Sequence, residues 1–160
     1  MKKILLIIIF LLFISSHATT LKGGVSESYI PKGFFGSWGV ISKLENSNNL
    51  NLFNKQSRDI WTLSGYQDIL ILENLESGAR SEIKIKEKPQ DGKTLKFKRE
   101  KIVNENNLKI IYKETVSFIL KNKNFSGVDE FIVEKYDSKN TLLEKNIAKY
   151  HIEGVKISGN

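Results

Sequence analysis

The chain has 160 residues, with 25 Lys+Arg against 18 Asp+Glu, 2 His and no Cys. That length suits one domain, and 40% hydrophobic with 27% charged residues leaves enough apolar material for a core. The absence of Cys excludes an intrachain disulfide framework, thiol catalysis, a Cys-based zinc site and a lipidated-cysteine anchor.

Residues 1–18 read as an export signal. Lys2 and Lys3 start it, Ile4 to Ile14 is an unbroken apolar run, and Ser15-Ser16-His17-Ala18 supplies a polar end with small residues before a cut after Ala18. The run is shorter than the roughly 20 apolar residues of a spanning helix. Cleavage near Ala18 predicts an exported protein, periplasmic or extracellular, with 23 basic residues against 18 acidic, or +5. The excess sits in the middle third, where residues 80–125 hold 13 Lys/Arg against 6 Asp/Glu. Outside the cell such a charge meets anionic polymers, lipid headgroups or protein partners before it meets nucleic acid.

Residues 19–32 predict an extended or mobile arm ending near Pro31, followed by a single β domain over 33–160. Period-2 alternation dominates that domain, and no segment holds a 3.6 period over three turns. Ile83 and Ile85 alternate with Lys84 and Lys86, Leu95 and Phe97 with Lys96 and Lys98, and Tyr112, Val116 and Phe118 share a face. Strands are expected near 35–44, 58–64, 67–74, 79–88, 93–103, 107–120, 125–136 and 141–157. Turn signals separate them at Ser64-Gly65, Glu76-Ser77-Gly78, Pro89 to Gly92, Asn104 to Asn107, Lys121 to Asn124 and Asp137 to Asn140. Segment 47–55 is the one longer connection, with room for a short helix or a lid. The fold class is therefore all-β, an antiparallel meander of about eight strands that closes as a barrel or curls as an open sheet. Closure would remove the exposed edges.

Phe35-Gly36-Ser37-Trp38 opens the first strand. It resembles the Gly-x-Trp signature that begins the first barrel strand of lipocalins and their calycin relatives. The resemblance implies structural roles for Gly36, where the chain bends into the barrel, and Trp38, which plugs the closed end. It also implies a basic residue of the last strand lying over that Trp, here Lys149 or Lys156. The family's Thr-Asp-Tyr motif has no counterpart in the chain.

No catalytic set emerges. His151 is the one histidine beyond the signal segment, and its alternation with Tyr150 and Ile152 points it to solvent. There is no Gly-x-Ser-x-Gly elbow, phosphate loop or calcium loop, so no enzyme, cofactor or metal is expected. Glu114 and Asp129 share parity with apolar neighbours. Either they face inward to hold a polar ligand group, pair with a cation or act as acid and base, or β-bulges return them to water. The residues expected to line a ligand cavity are Trp61, Tyr112, Glu114, Phe118, Asp129 and Phe131. Arg80, Lys84, Lys86, Lys96, Lys98 and Arg99 are assigned to a basic outer face, with Lys88, Lys93 and Lys101 at its strand ends or turns. Lys84, Lys86, Lys96 and Lys98 form its centre, on adjacent strands. That face lacks the interleaved aromatics that stack nucleic-acid bases. Two readings follow. One is a non-enzymatic exported barrel binding a small apolar or amphipathic ligand. The other is an envelope interaction or assembly protein using its basic face on an anionic polymer, a membrane surface or a protein partner.

Overall fold

The computed structural model describes residues 28–159; the predicted signal segment and residues 19–27 of the predicted arm lie outside them. The fold is all-β. Eight antiparallel strands follow in chain order: β1 (Gly36–Ser47), β2 (Gln56–Tyr66), β3 (Ile69–Asn74), β4 (Ala79–Lys84), β5 (Thr94–Glu105), β6 (Leu108–Lys121), β7 (Asn124–Tyr136) and β8 (Leu142–Ser158). Each pairs with its sequence neighbour except β4 and β5, and β1 pairs with β8. The result is an up-and-down barrel closed everywhere but at one seam, where β4 and β5 touch without a shared ladder.

Local chemistry explains most of the turns. The β5–β6 hairpin turns on Asn106 and Asn107 at φ 51° and 62°, and Asn122 holds φ 59° between β6 and β7. Asn is the non-Gly residue that adopts this left-handed region most cheaply. The Ser64-Gly65 signal proves to be something else. Both residues lie inside β2, and the turn falls on Gln67 and Asp68. Gly65 is there because a Cβ would meet the Ile69 carbonyl and the Ile30 side chain. The fourth strand is also shorter than expected. It ends at Lys84, one step beyond which the Ile85 amide still bonds the Asp68 carbonyl at 2.7 Å, because its partner strand β3 begins only at Ile69, after the turn at Gln67 and Asp68.

One end of the barrel is packed solid. Trp38, Phe34, Phe118, Leu95, Leu70 and Ile152 are fully buried there, and Phe125 stacks on Phe118 with ring centroids 4.7 Å apart. The described end of the arm, residues 28–32, seals this end and is anchored. The Tyr29 amide bonds the Gln67 carbonyl at 2.7 Å, Ile30 is buried, and a 3-10 turn at Lys32–Phe34 inserts Phe34 against Phe118. Burying Phe34, Ile30 and Trp38 supplies on the order of 2 kcal/mol per side chain. Gly36 follows at φ 120°, pressed against the Ser158 carbonyl, a place no other residue fits.

Toward the other end, Phe53, Val133 and Ala148 form a smaller apolar cluster. Phe53 comes from the 48–55 connection. That connection contains no helix and folds as a lid. Asn48 and Asn49 fasten it to β8: the Asn48 side chain donates to the Lys145 carbonyl at 2.9 Å and accepts from the Ile147 amide at 2.8 Å. The Asn49 side chain donates to Asn146 Oδ1 at 3.0 Å. The Asn-rich composition thus satisfies backbone groups that an apolar loop would leave unpaired.

Candidate functional site

Between the packed end and the lid lies a cavity of about 550 Å³. Its apolar lining includes Leu72 of β3 and Trp61, Phe131, Tyr150 and lid residue Phe53; its polar lining includes Ser57, Asp59, Asn74, Ser81, Arg99, Glu114 and Asp129. Strand alternation delivers these groups. On β5, Leu95, Phe97 and Arg99 share the inner face, and on β7, Phe125, Asp129 and Phe131 do. The register aligns them further. Arg99 stands opposite Glu114, and Asp129 opposite Tyr150.

Glu114 is buried and ion-paired. Arg99 Nη2 donates to its Oε1 at 2.8 Å while Nε approaches Oε2, a two-pronged contact. Arg99 Nη1 also reaches Ser81 Oγ on β4 at 3.3 Å. This bond crosses the seam where β4 and β5 share no ladder, so one guanidinium both neutralises Glu114 and bridges the open edge. Burial pushes the Arg99 guanidinium down to about 10, opposed by the Asp129 carboxylate, and it stays charged at neutral pH.

Asp129 has no such partner. Its Oδ1 is buried without a hydrogen bond among the described residues. Burial raises the Asp129 carboxyl to about 7; Arg99 opposes the rise and Glu130 adds to it. The neighbouring Tyr150 phenol is raised to about 12, first by burial and then by Asp129. On the far wall, Asp59 accepts from Asn74 Nδ2 at 2.9 Å and from Ser57 Oγ at 3.2 Å.

The structure brings together Trp61, Glu114, Asp129 and Phe131 of the expected cavity residues. It does not place the other two there. Phe118 is wholly buried in the packed end, and Tyr112 packs beside the lid cluster without lining the cavity. Parity alone puts a residue on the inner face, but depth along the strand decides whether it meets the cavity or the core. The alternative bulges are absent: β5, β6 and β7 keep continuous register through Glu114 and Asp129. Arg99 corrects the basic outer face, since it points inward with Leu95 and Phe97. Its odd-numbered parity within β5 was the available signal. Asp59, Asn74 and Ser81 were missed as lining residues; their shared parity with Trp61 and Leu63 on β2, with Leu70 and Leu72 on β3 and with Ile83 on β4 was the available signal.

Lys84, Lys86, Lys96 and Lys98 are exposed. Lys84 lies 3.5 Å from Asp68. Their strands are not hydrogen-bonded neighbours, contrary to expectation; the lysines flank the seam, and Lys86 lies past the end of β4. His151 sits on the outside near Glu45 and Glu153. Among the described residues no group of three or more His, Asp or Glu is arranged to hold a metal.

Two further contacts define the closed end. Trp38 Nε1 donates to the Phe34 carbonyl at 2.8 Å, and Lys156 Nζ lies 5.3 Å from the centre of the Trp38 ring. Of the two basic candidates, Lys156 takes the position over Trp38, whereas Lys149 pairs with Glu45 at 3.1 Å. No protein-family model matches the chain, and no curated protein matches it in sequence.

Proposed function

We propose that this chain is an exported, non-enzymatic, lipocalin-like barrel that binds one small apolar or amphipathic molecule. The observation that carries the reading is the cavity of about 550 Å³ between a sealed end and a fastened lid, with aromatic walls and a few convergent polar groups. Its size and lining match those of small-molecule sites, in which apolar walls supply affinity and sparse polar groups fix orientation. An eight-stranded barrel can fill itself with side chains; here the core occupies one end and leaves the other half hollow. The Gly36–Trp38 entry and the Lys156 ammonium above Trp38 support the lipocalin-like assignment.

The test uses the neutral fluorophore N-phenyl-1-naphthylamine and the chain recovered from the culture medium or periplasm. Saturable fluorescence enhancement near one equivalent, together with an N-terminus at or near Thr19, is the expected result. A chain retaining Met1 in the cytoplasm rules out export, and a probe that fails to saturate rules out the cavity.

A second reading rests on the charge beside the seam. Lys86, Lys96 and Lys98 are exposed and have no carboxylate partner among the described residues. That arrangement suits an anionic envelope polymer or membrane surface.

A further inference from the structure

The interior charges select among the molecules that such a cavity could take. Arg99, the guanidinium of the lining, is already engaged by Glu114 and Ser81. The other lining cation, Lys55, is exposed at the rim. Against these stand Asp59, Glu114 and Asp129, so an anionic head group entering the cavity meets a surplus of carboxylates. Asp129 is the group left over. An ionised carboxylate whose buried oxygen lacks a donor is costly, and a ligand that brings a donor relieves that cost. Opposite and beside it are the rings of Tyr150 and Phe131, with Trp61 also on the wall. Aromatic faces attract cations, most strongly where water is excluded.

We propose that the cavity is selective for organic cations, taking an amine whose ammonium head donates to Asp129 and whose apolar body lies against Trp61, Phe131 and Tyr150. The inference rests on the cavity-binding reading and adds the chemical class of the ligand. It assigns Asp129 the role of counter-ion and Arg99 that of compensating the Glu114 charge; Asp59 is held by Asn74 and Ser57, so Asp129 is the carboxylate left to receive the head group.

Three probes of one chain length separate the possibilities: decylamine, decanol and decanoate, each displacing N-phenyl-1-naphthylamine from the native chain at pH 8. A charge-assisted hydrogen bond to a buried carboxylate predicts that decylamine displaces the fluorophore at about ten- to a hundredfold lower concentration than decanol. Decanoate is expected to be the weakest. Asp129→Asn is expected to bring decylamine to the level of decanol while N-phenyl-1-naphthylamine still binds. If decanol or decanoate displaces the fluorophore as well as decylamine does, the selectivity is overturned while the cavity reading stands. Retention of the amine preference in Asp129→Asn overturns the counter-ion role. If the fluorophore does not bind and calorimetry detects none of the three, both readings fall. The three-probe comparison needs no variant, so a poorly folding Asp129→Asn does not prevent a decision.

Discussion

Lys156 reaches from β8 across the closed end of the barrel, placing Nζ 5.3 Å from the centre of the Trp38 ring and donating to the Gly33 carbonyl at 3.1 Å. The two contacts tie the last strand to the first strand and to the segment that leads into it. Trp38 in turn donates to the Phe34 carbonyl and packs on Phe125 with centroids 5.0 Å apart. Sheet closure at the β1–β8 junction is thus reinforced by one aromatic side chain and one cation above it.

The energetic consequence is measurable. Trp38→Ala is expected to destabilise the fold by about 3–5 kcal/mol, the range for large aromatic truncations in a core. Lys156→Met keeps the apolar stem and removes the charge, and is expected to cost about 1–2 kcal/mol. Urea melts of both variants check this. A Lys156→Met midpoint equal to that of the parent chain would show that the ammonium contributes nothing over the ring.

Asp129 gives the stability a pH dependence. Its carboxyl lies at about 7 in the folded protein against an ordinary 3.8. Between those values the folded state holds a proton that the unfolded chain has released, so stability falls as pH rises from about 4 to about 7 and levels off above. Allowing for screening through the cavity, the loss is on the order of 1–3 kcal/mol. Glu134 acts in the opposite direction and in a different window. Lys113 donates to it at 2.7 Å, and Lys145 and Tyr136 also bond it, holding it near 2. Its contribution is therefore complete above its ordinary 4.5 and lost as pH falls toward 2. Denaturant melts at pH 5 and pH 8 are expected to show the parent chain more stable at pH 5. Asp129→Asn should be nearly flat over the same range. A parent chain more stable at pH 8 would contradict the burial of Asp129.

How much of this was legible follows from the range of each interaction. Period-2 alternation is local, so strands at 35–44, 107–120 and 125–136 could be read within a few residues of β1, β6 and β7. Asn-rich turns are local too. The Gly36-Ser37-Trp38 segment pointed to a barrel entry and to Lys149 or Lys156 above the ring, but only the register of β8 against β1 decides between them. Arg99 shows what parity alone can misplace. In a run with Lys96, Lys98 and Lys101, it reads as one more surface cation, and its partner Glu114 lies across a hairpin. The depth of Phe118, and whether inward-facing Asp59 and Asn74 meet the cavity or the core, depend on how the sheet curls, which no single strand encodes.

The lid offers a separate test. Asn48 makes two side-chain bonds to β8, and its own amide donates to the Ile147 carbonyl at 3.2 Å. Asn48→Ala removes the side-chain pair and leaves an Ile147 amide without its acceptor. A stability loss of about 1–2 kcal/mol is expected. Hydrogen exchange should accelerate at Leu44, whose amide bonds the Lys55 carbonyl at 2.9 Å, and at Leu52, while Trp38 and Phe118 keep their protection. Release of N-phenyl-1-naphthylamine should quicken in step with the exchange. Unchanged exchange at Leu44 and Leu52 would show that Asn48 does not fasten the lid.

The four lysines beside the seam divide the two functional readings. Lys84, Lys86, Lys96 and Lys98 are exposed, and among the described residues the one ion pair that any of them forms, Lys84 with Asp68 at 3.5 Å, involves a lysine side chain that is 73% exposed. Exposed pairs of that kind contribute a few tenths of a kcal/mol, and unpaired like charges on one surface repel. Changing all four to Gln is therefore expected to leave the urea midpoint unchanged or slightly higher. Cavity binding of N-phenyl-1-naphthylamine should also be unaffected, because these side chains stand on the opposite face of their strands from Ser81 and Arg99. Binding to vesicles rich in anionic lipid responds differently. If the seam meets an anionic surface, the parent chain binds such vesicles with an affinity that drops as salt rises, and the four-site variant loses most of it. Equal vesicle binding by parent and variant would remove the basic face as a docking surface. A loss of cavity binding in the variant, with the fold intact, would place these lysines on the ligand's path through the seam.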